Sequence, residues 1–367
     1  MKFVLAELCD QVLTAHAAHK SVFIAGGGSK HFYGNTSALR ESHFVLDMTA
    51  YRGIVSYYPS ELVVTVRAGT PLAELESILA DRGQMLAFEP PHFNDRATVG
   101  GCVAAGLAGP RRVASGGVRD YVLGARLLDS QGRWLSFGGE VMKNVAGYDV
   151  SRLLSGSLGI FGAIVEVSLK VVPLPAAELT LQGQASQAEA LQCFARWRAL
   201  PLPITASAWV PDTEAGEGGR WLARLSGAPV ALQAARGRMG GEVLESVEAR
   251  TFWRSLREQT HVFFQAGTPL WRLAVAPVSP PLALGPMLLE WGGGQRWLSA
   301  REDARLVREV AQAAGGHATL FRARGAAVPD DGVFHPMAPG VAQITRRLKH
   351  ALDPAGLFNP GRMTPDL

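Results

Sequence analysis

The placement of glycine constrains this chain more than any other feature. Ala97-Thr-Val-Gly-Gly-Cys-Val-Ala-Ala-Gly-Leu-Ala-Gly-Pro110 runs fourteen residues without a charge, yet four of them are glycine and one is proline. Free surface loops are rarely that apolar, because loop backbone groups are normally satisfied by water. Two readings fit: a buried glycine-rich hairpin, or a backbone-lined channel against a large planar ligand. A second cluster, Ile24-Ala-Gly-Gly-Gly-Ser-Lys30, follows the short β-like run Val22–Ala25. Glycines after a strand can curl so that successive N–H groups face one concavity, a nest suited to phosphate; the same residues also make an ordinary flexible turn. The cluster has no Gly-Lys-Ser/Thr ending, so it is not a Walker A loop. Its glycines are adjacent rather than spaced Gly-x-Gly-x-x-Gly before a helix, which excludes the Rossmann fingerprint.

Around these clusters the periodicity is regular. Leu5 to His19 is apolar at helical spacing, and Glu61 to Ala68 is β-branched and strand-like. Gly69-Thr-Pro71 turns the chain, with Thr70 expected as N-cap and Pro71 at the first helical position. The helix then runs from Leu72 to Asp81 and stops at Gly83. Further strands are expected at Gly124–Leu128, Trp134–Phe137 and Ala163–Val172. Val171-Val-Pro-Leu-Pro175 breaks the pattern, and residues 176–335 are richer in Ala, Arg and Trp. No internal repeat is evident. A basic helix is expected within Thr345–Met363, ending in the compact turn Leu352-Asp-Pro-Ala-Gly-Leu-Phe-Asn-Pro-Gly361. The coarse class is α+β in two unequal domains, with boundaries at 1–172, 173–335 and 336–367.

Composition excludes several alternatives. A chain of 367 residues that is 47% hydrophobic and 19% charged is not globally disordered. Basic residues number 36 against 32 acidic, a formal +4 spread without any block of like charge, so no nucleic-acid arm is expected. Cys9, Cys102 and Cys193 lack zinc-ligand spacing and leave an odd thiol, which points to no metal site and to a reducing compartment. Glu7 and Asp10 fall where a signal peptide would need an apolar run. The uncharged stretch from Leu273 is interrupted by Pro277, Pro280, Pro281 and Pro286, so it does not read as a membrane span. A cytoplasmic protein without an anchor of its own is the expectation.

The order of the motifs resembles the FAD-binding domain of the vanillyl-alcohol-oxidase type (PCMH), which also occurs in bacterial glycolate and D-lactate dehydrogenases. The segments that carry the resemblance are Ala25–Lys30, Leu46-Asp-Met48 with Val66–Leu72, and Ala97–Gly101. They continue with Gly116–Asp120 and Val122–Gly124, Lys143–Asp149, Gly156–Glu166 and the turn Leu352–Gly361. Phe88-Glu-Pro-Pro-His-Phe93, Gly109-Pro-Arg-Arg112 and Met142–Asp149 are most similar to the FAD-binding subunit of bacterial glycolate oxidase. The resemblance implies a two-part FAD-binding domain, a smaller α+β cap on the substrate side, and a C-terminal segment that returns to the FAD domain. It implies FAD held non-covalently, with Gly26, Gly27, Gly28, Ser29 and Lys30 cradling the pyrophosphate. Thr98, Gly100 and Gly101 would line the ribityl and pyrophosphate path, Gly109 and Gly116 would lie further along, and Ile164 would offer backbone groups to the adenine end. His92 lies near the region where a histidine of related enzymes can carry flavin covalently, although packing is its more ordinary role. Tyr148 and Asp149 fall where a tyrosine could flank the flavin ring, edge packing being the ordinary alternative.

The implied assembly contains a larger flavin-domain subunit and an iron–sulfur subunit, with a small hydroxy acid as substrate and peripheral placement at the inner face of the membrane through those partners. Oxidising a hydroxy acid needs a base for the hydroxyl proton and a cation for the carboxylate. Relatives that do this carry a His-x-Gly-Asp-Gly-Asn-like stretch, where this chain has only Gly315-Gly-His-Ala-Thr-Leu-Phe-Arg322. His317 with Arg322, and His335, are the residues left for the catalytic roles. Arg111 and Arg112 could hold a carboxylate or pair with a partner subunit. The expectation is therefore a subunit active within a complex. A self-sufficient oxidoreductase of a small 2-hydroxy acid or alditol, and a scaffold subunit without flavin, are the alternatives.

Overall fold

The computed structural model describes residues 2–36, 44–139, 149–212 and 218–367. Helix α1 (Lys2–Ala17) precedes the parallel pair β1 (Val22–Ala25) and β2 (Phe44–Asp47). There follow β3 (Ile54–Tyr58), β4 (Val63–Arg67), α2 (Leu72–Ala80), β5 (Gln84–Met85), α3 (Val99–Ala105) and α4 (Arg112–Ser115). Next come β6 (Val122–Leu128), β7 (Trp134–Gly138), α5 (Val150–Leu153), β8 (Ala163–Lys170) and β9 (Val172–Pro173). The chain continues through β10 (Ala177–Gln184), α6 (Gln187–Arg198), β11 (Ile204–Pro211), β12 (Gly219–Gly227), α7 (Pro229–Met239), β13 (Glu242–Val243) and α8 (Ser246–Arg257). Last are β14 (Leu270–Ala274), β15 (Met287–Glu290), β16 (Gln295–Ser299), α9 (Ala304–Ala313), β17 (His317–Arg322) and α10 (Pro339–Leu352). Two compact units result: Met1–Leu107, Gly117–Pro173 and Asp330–Leu367 form one, and Ala108–Gly116 with Leu174–Pro329 form the other.

In the first unit the β-branched run of β4 joins an antiparallel sheet of order β3-β4-β8-β6-β7 among the described residues. Central β8 is buried at every position except its last, Lys170. Helix α1 buries Leu8, Val12 and Ala15 in a core shared with Val22, Leu46, Leu357 and Phe358. The C-terminal turn thus supplies core residues to the first strand pair: Phe358 bridges Val22 in parallel, and Asn359 N–H donates to Val22 O at 2.9 Å. Helix α10 starts earlier than its basic residues suggest because Pro339 initiates it without losing a helical hydrogen bond. Its last turn ends on a buried pair, Lys349 Nζ to Asp353 Oδ2 at 2.6 Å. The same ammonium donates to Ile160 O and Phe358 O, and Asp353 accepts from the N–H groups of Leu357 and Phe358.

Two local expectations are corrected. Thr70 does not cap α2: Pro71 holds the N-cap position without a side-chain bond. Thr70 Oγ1 instead accepts from Gly53 N–H at 2.8 Å and donates to Arg67 O at 2.7 Å. Thr70 is fully buried, so leaving the Gly53 donor unpaired there would cost more than an uncapped helix end. The segment after Ala97 is a short helix rather than a hairpin. Thr98 caps the short helix α3 by accepting from Gly101 N–H at 3.3 Å, and Gly106, at φ +63°, ends it.

The second unit holds one antiparallel sheet of order β13-β10-β12-β11-β15-β16-β14-β17 among the described residues. Read from its outer edge inward, each half of that order places its strands fourth, first, third, second, the arrangement of a split βαβ unit. The halves meet through a short pairing of Ala208 and Trp209 with Glu290 and Leu289. A repeat that the sequence does not display is therefore present in the topology. Where the first half has α6, the second has a proline-rich run between β14 and β15. Fully buried Arg296 holds that run by donating to Ser279 O and, at 2.6 Å, to Pro280 O.

Candidate functional site

An open cavity lies in the first unit where β1 ends. Gly26, Gly27, Gly28, Ser29 and Lys30 form one wall, and Ala68, Thr98, Gly100, Gly101 and Ile164 line the others. The glycines are there because neighbouring atoms already occupy their side-chain space. A Cβ on Gly27 would stand 1.4 Å from Arg96 O, and one on Gly26 would stand 2.4 Å from Thr98 Oγ1. Gly28 has φ +76°, which few other residues adopt at low cost. Gly100 lets α3 press onto β4, its N–H donating to Ala68 O at 2.8 Å. The amides of Gly27, Gly28 and Ser29, by contrast, take no protein acceptor among the described residues. Three neighbouring unengaged donors at a cavity wall form a nest for an anion.

Positive charge converges on the same wall. Lys30 Nζ is held by Ser29 Oγ at 3.2 Å and His92 O at 3.4 Å, and lies over the Phe93 ring. Arg96 Nε donates to Gly27 O at 3.1 Å. Arg362 lines the cavity from the C-terminal turn and donates to His31 O at 2.8 Å and Asn35 O at 3.1 Å. Burial brings the Arg362 guanidinium down to about 10, which still leaves it cationic at neutral pH. Asn359 completes the wall: its Oδ1 accepts from Ile24 N–H at 3.0 Å and its Nδ2 donates to Leu158 O at 2.6 Å. Cys102 on α3 is buried, which pushes its thiol up to about 12, so it acts as a small apolar group.

The structure therefore brings together Gly26, Gly27, Gly28, Ser29, Lys30, Thr98, Gly100, Gly101 and Ile164. Gly109 and Gly116 do not line the cavity and belong to the second unit. Their segment is held there by side chains: Arg111 pairs with Glu178 at 2.5 Å, Arg112 stacks 4.7 Å over Trp291, and Trp291 Nε1 donates to Gly109 O at 3.1 Å. Arg111 and Arg112 thus have partners within the chain. Sequence reasoning missed His31, Arg96, Asn359 and Arg362. His31 directly follows the glycine loop and Arg362 follows the Asn-Pro-Gly turn, so adjacency was the available signal. Nothing local marks Arg96.

Two of the catalytic candidates, His317 and Arg322, do not converge. His317 and Arg322 sit at opposite ends of β17, roughly 17 Å apart at the usual strand rise. Arg322 Nε donates to Gln259 Oε1 at 3.1 Å, and burial, then Arg324, lowers its pKa to about 10. His335 belongs to the first unit. His92 Nε2 lies 2.9 Å from Glu76 Oε2 and is outside the cavity lining. Asp149 caps α5 and pairs with Arg152 at 3.0 Å, whereas Lys143 to Tyr148 lie outside the described residues. Among the described residues no group of three or more His, Cys, Asp or Glu is placed to hold a metal ion.

Fold and cavity together define an α+β flavoprotein of the two-part FAD-binding type, and residues 5–138 match the FAD binding domain family. The chain is 44% identical over 361 residues to glycolate oxidase subunit GlcE of Escherichia coli (strain K12), covering 98% of this chain and 97% of that one. The chain belongs to the glycolate oxidase subunit GlcE family. It is also 31% identical over 173 residues to glycolate oxidase subunit GlcD of Bacillus subtilis (strain 168), covering 47% of this chain and 36% of the relative. A D-lactate dehydrogenase of Anaerostipes hadrus is 33% identical over 137 residues, or 37% of this chain and 28% of the relative. Among solved structures, alkyldihydroxyacetonephosphate synthase superimposes with a TM-score of 0.68 at 15% identity, over 97% of this chain and 75% of that one, and shares the fold.

Proposed function

We propose that this chain is the FAD-carrying subunit of a glycolate dehydrogenase, oxidising glycolate to glyoxylate together with a larger flavin-domain subunit and an iron–sulfur subunit. The observation that carries the reading is the glycine wall, in a chain that follows GlcE along its whole length. FAD fits that wall on three counts. Neighbouring atoms already fill the space that side chains on Gly26 and Gly27 would need, three amides are left to donate, and Lys30 and Arg362 on the lining, with Arg96 behind the glycine loop, would offset a pyrophosphate's charge. Loop amides would hold the phosphate oxygens, Thr98 and Gly101 would border the path beyond them, and Ile164 would border the adenine end. Bound FAD supplies the two-electron acceptor for the hydroxy-acid C–H bond. The cavity has no covalent attachment point at His92, whose ring is engaged by Glu76, which supports non-covalent binding.

The separation of His317 from Arg322 supports a division of labour in which a partner completes the catalytic site, with the second unit as a substrate-side domain. No helix among the described residues is long and apolar enough to cross a membrane. A cytoplasmic location, with attachment to the inner face of the membrane through partners, belongs to the same proposal. The deciding experiment is the visible spectrum of the purified chain before and after acid precipitation, followed by a glycolate assay with a dye acceptor. Flavin that leaves with the supernatant, and turnover only after the partner subunits are added, is the expected result. A colourless protein that takes up no FAD would sink the cofactor reading. Full turnover by the isolated chain would sink the subunit reading.

A further inference from the structure

We propose that His31 binds the anionic bridge of the dinucleotide and takes up a proton as it does so, so that flavin affinity rises as pH falls. The inference rests on the FAD reading above. His31 N–H donates to Gly28 O at 3.2 Å, a tight turn that folds the ring back over the glycine loop. Its Cε1 stands 3.3 Å from the point where a Gly28 Cβ would be, and Arg96 Nη2 stands 3.4 Å from the same point. The space that Gly28 leaves open is thus shared by an imidazole and a guanidinium, next to the unengaged amides of Gly27, Gly28 and Ser29. The ring lies edge-on to Phe23 at 5.1 Å and lines the cavity. Neither of its nitrogens has a hydrogen-bond partner among the described residues.

The charged groups that face the ring are Arg362 from the C-terminal turn and Arg96 from the approach to α3, both cationic. Lys30, its neighbour in the chain, directs its ammonium to Ser29 and His92. Burial, then Arg362, then Arg96, keeps the imidazole below its ordinary pKa, so it is neutral at pH 7 without ligand. A diphosphate diester placed against it brings two negative charges that do not titrate near neutrality, and these favour the imidazolium. The proton comes from solvent and stays on the ring while the ligand is bound. By linkage, affinity changes only between the free and bound pKa of His31, by up to about tenfold per pH unit and tighter on the acid side.

The test is a titration of flavin-free, full-length protein with FAD, read by flavin fluorescence from about pH 5.5 to about 8.5, where histidine titrates. The expected result is a Kd that rises about tenfold across that range, a His31→Gln protein whose Kd is flat, and an Arg96→Gln protein weakened at every pH. Calorimetry of the unaltered protein in buffers of different ionisation enthalpy should show net proton uptake, which keeps the test open even if His31→Gln fails to fold. A flat Kd, an absence of proton uptake, or a slope that survives His31→Gln overturns the role of His31 and leaves the FAD reading standing. Failure to bind FAD at any pH overturns both.

Discussion

Both units use glycine to admit something that a side chain would exclude, but the guest differs. In the first unit the space beside Gly27 is filled by the Arg96 carbonyl and that beside Gly100 by the Cβ and backbone of Ala68, so the neighbour is backbone or an atom fixed to it. In the second, a Cβ on Gly183 would stand 2.6 Å from the Trp221 ring and one on Gly219 would stand 2.5 Å from both the Trp209 ring and Val210 O, so at these positions glycine makes room for indoles as well as for backbone. Backbone cannot rotate out of the way, whereas an indole can change rotamer. One use shapes a cavity wall with free amides, and the other completes a packed core. Glycine count alone would not separate them, since the neighbour that fills the space comes from a distant part of the chain.

That contrast can be broken in order of expected effect. Lys349→Met should be the most damaging, because it leaves Asp353 charged and buried beside two amides; removing one partner of such a pair costs about 3–5 kcal/mol. Urea unfolding should show that loss, with flavin released early because Asn359 and Arg362 hang from the same turn; a change below about 1 kcal/mol would mean that the pair does not anchor the tail. Gly27→Ala should follow at about 3 kcal/mol, the upper end of overpacking, with flavin lost on gel filtration. An alanine protein that keeps its flavin would show that the wall yields.

Gly183→Ala should cost about 1–2 kcal/mol as Trp221 shifts, with altered tryptophan fluorescence and flavin content unchanged. Flavin loss in that variant would erase the distinction between the two uses of glycine. The smallest effect is titration in the second unit. Burial, then Arg220, holds His261 below its ordinary pKa. Just below pH 6.5 the unfolded chain therefore binds more protons than the native one, and stability falls as pH drops through that window. His261→Gln should flatten this part of the thermal-melt profile, and an unchanged profile would assign the acid sensitivity elsewhere.

Much of the first unit was readable without the structure. The β-branched run around Val63–Arg67 and the spacing of Leu72, Leu75 and Leu79 express local preferences, and each became the element its period predicts. The run Val22–Ala25 likewise became β1, with the glycine cluster at its end. The Ala97 segment lines the cavity as its composition suggests, but as a short helix, because a string of small residues says little about whether it will coil. Thr70 was misassigned for a related reason: capping was the best local use of its hydroxyl, and a buried donor on Gly53 was a better distant one.

The order of the motifs, the positions that must lack a side chain and the resemblance to a flavin-binding family are written in the residues themselves. Those properties are local, carried by propensity and by the identity of a few consecutive residues. Tertiary structure decided that Asn359 and Arg362 complete a wall begun at Ile24, since contacts spanning more than three hundred residues leave no local trace. It also decided that Ala108–Gly116 clusters with the second unit, because Glu178 and Trp291 offer Arg111 and Arg112 partners there. Strand pairing repeats one topology across the second sheet because backbone hydrogen bonds can join strands of quite different sequence, so the repeat exists without a sequence that shows it.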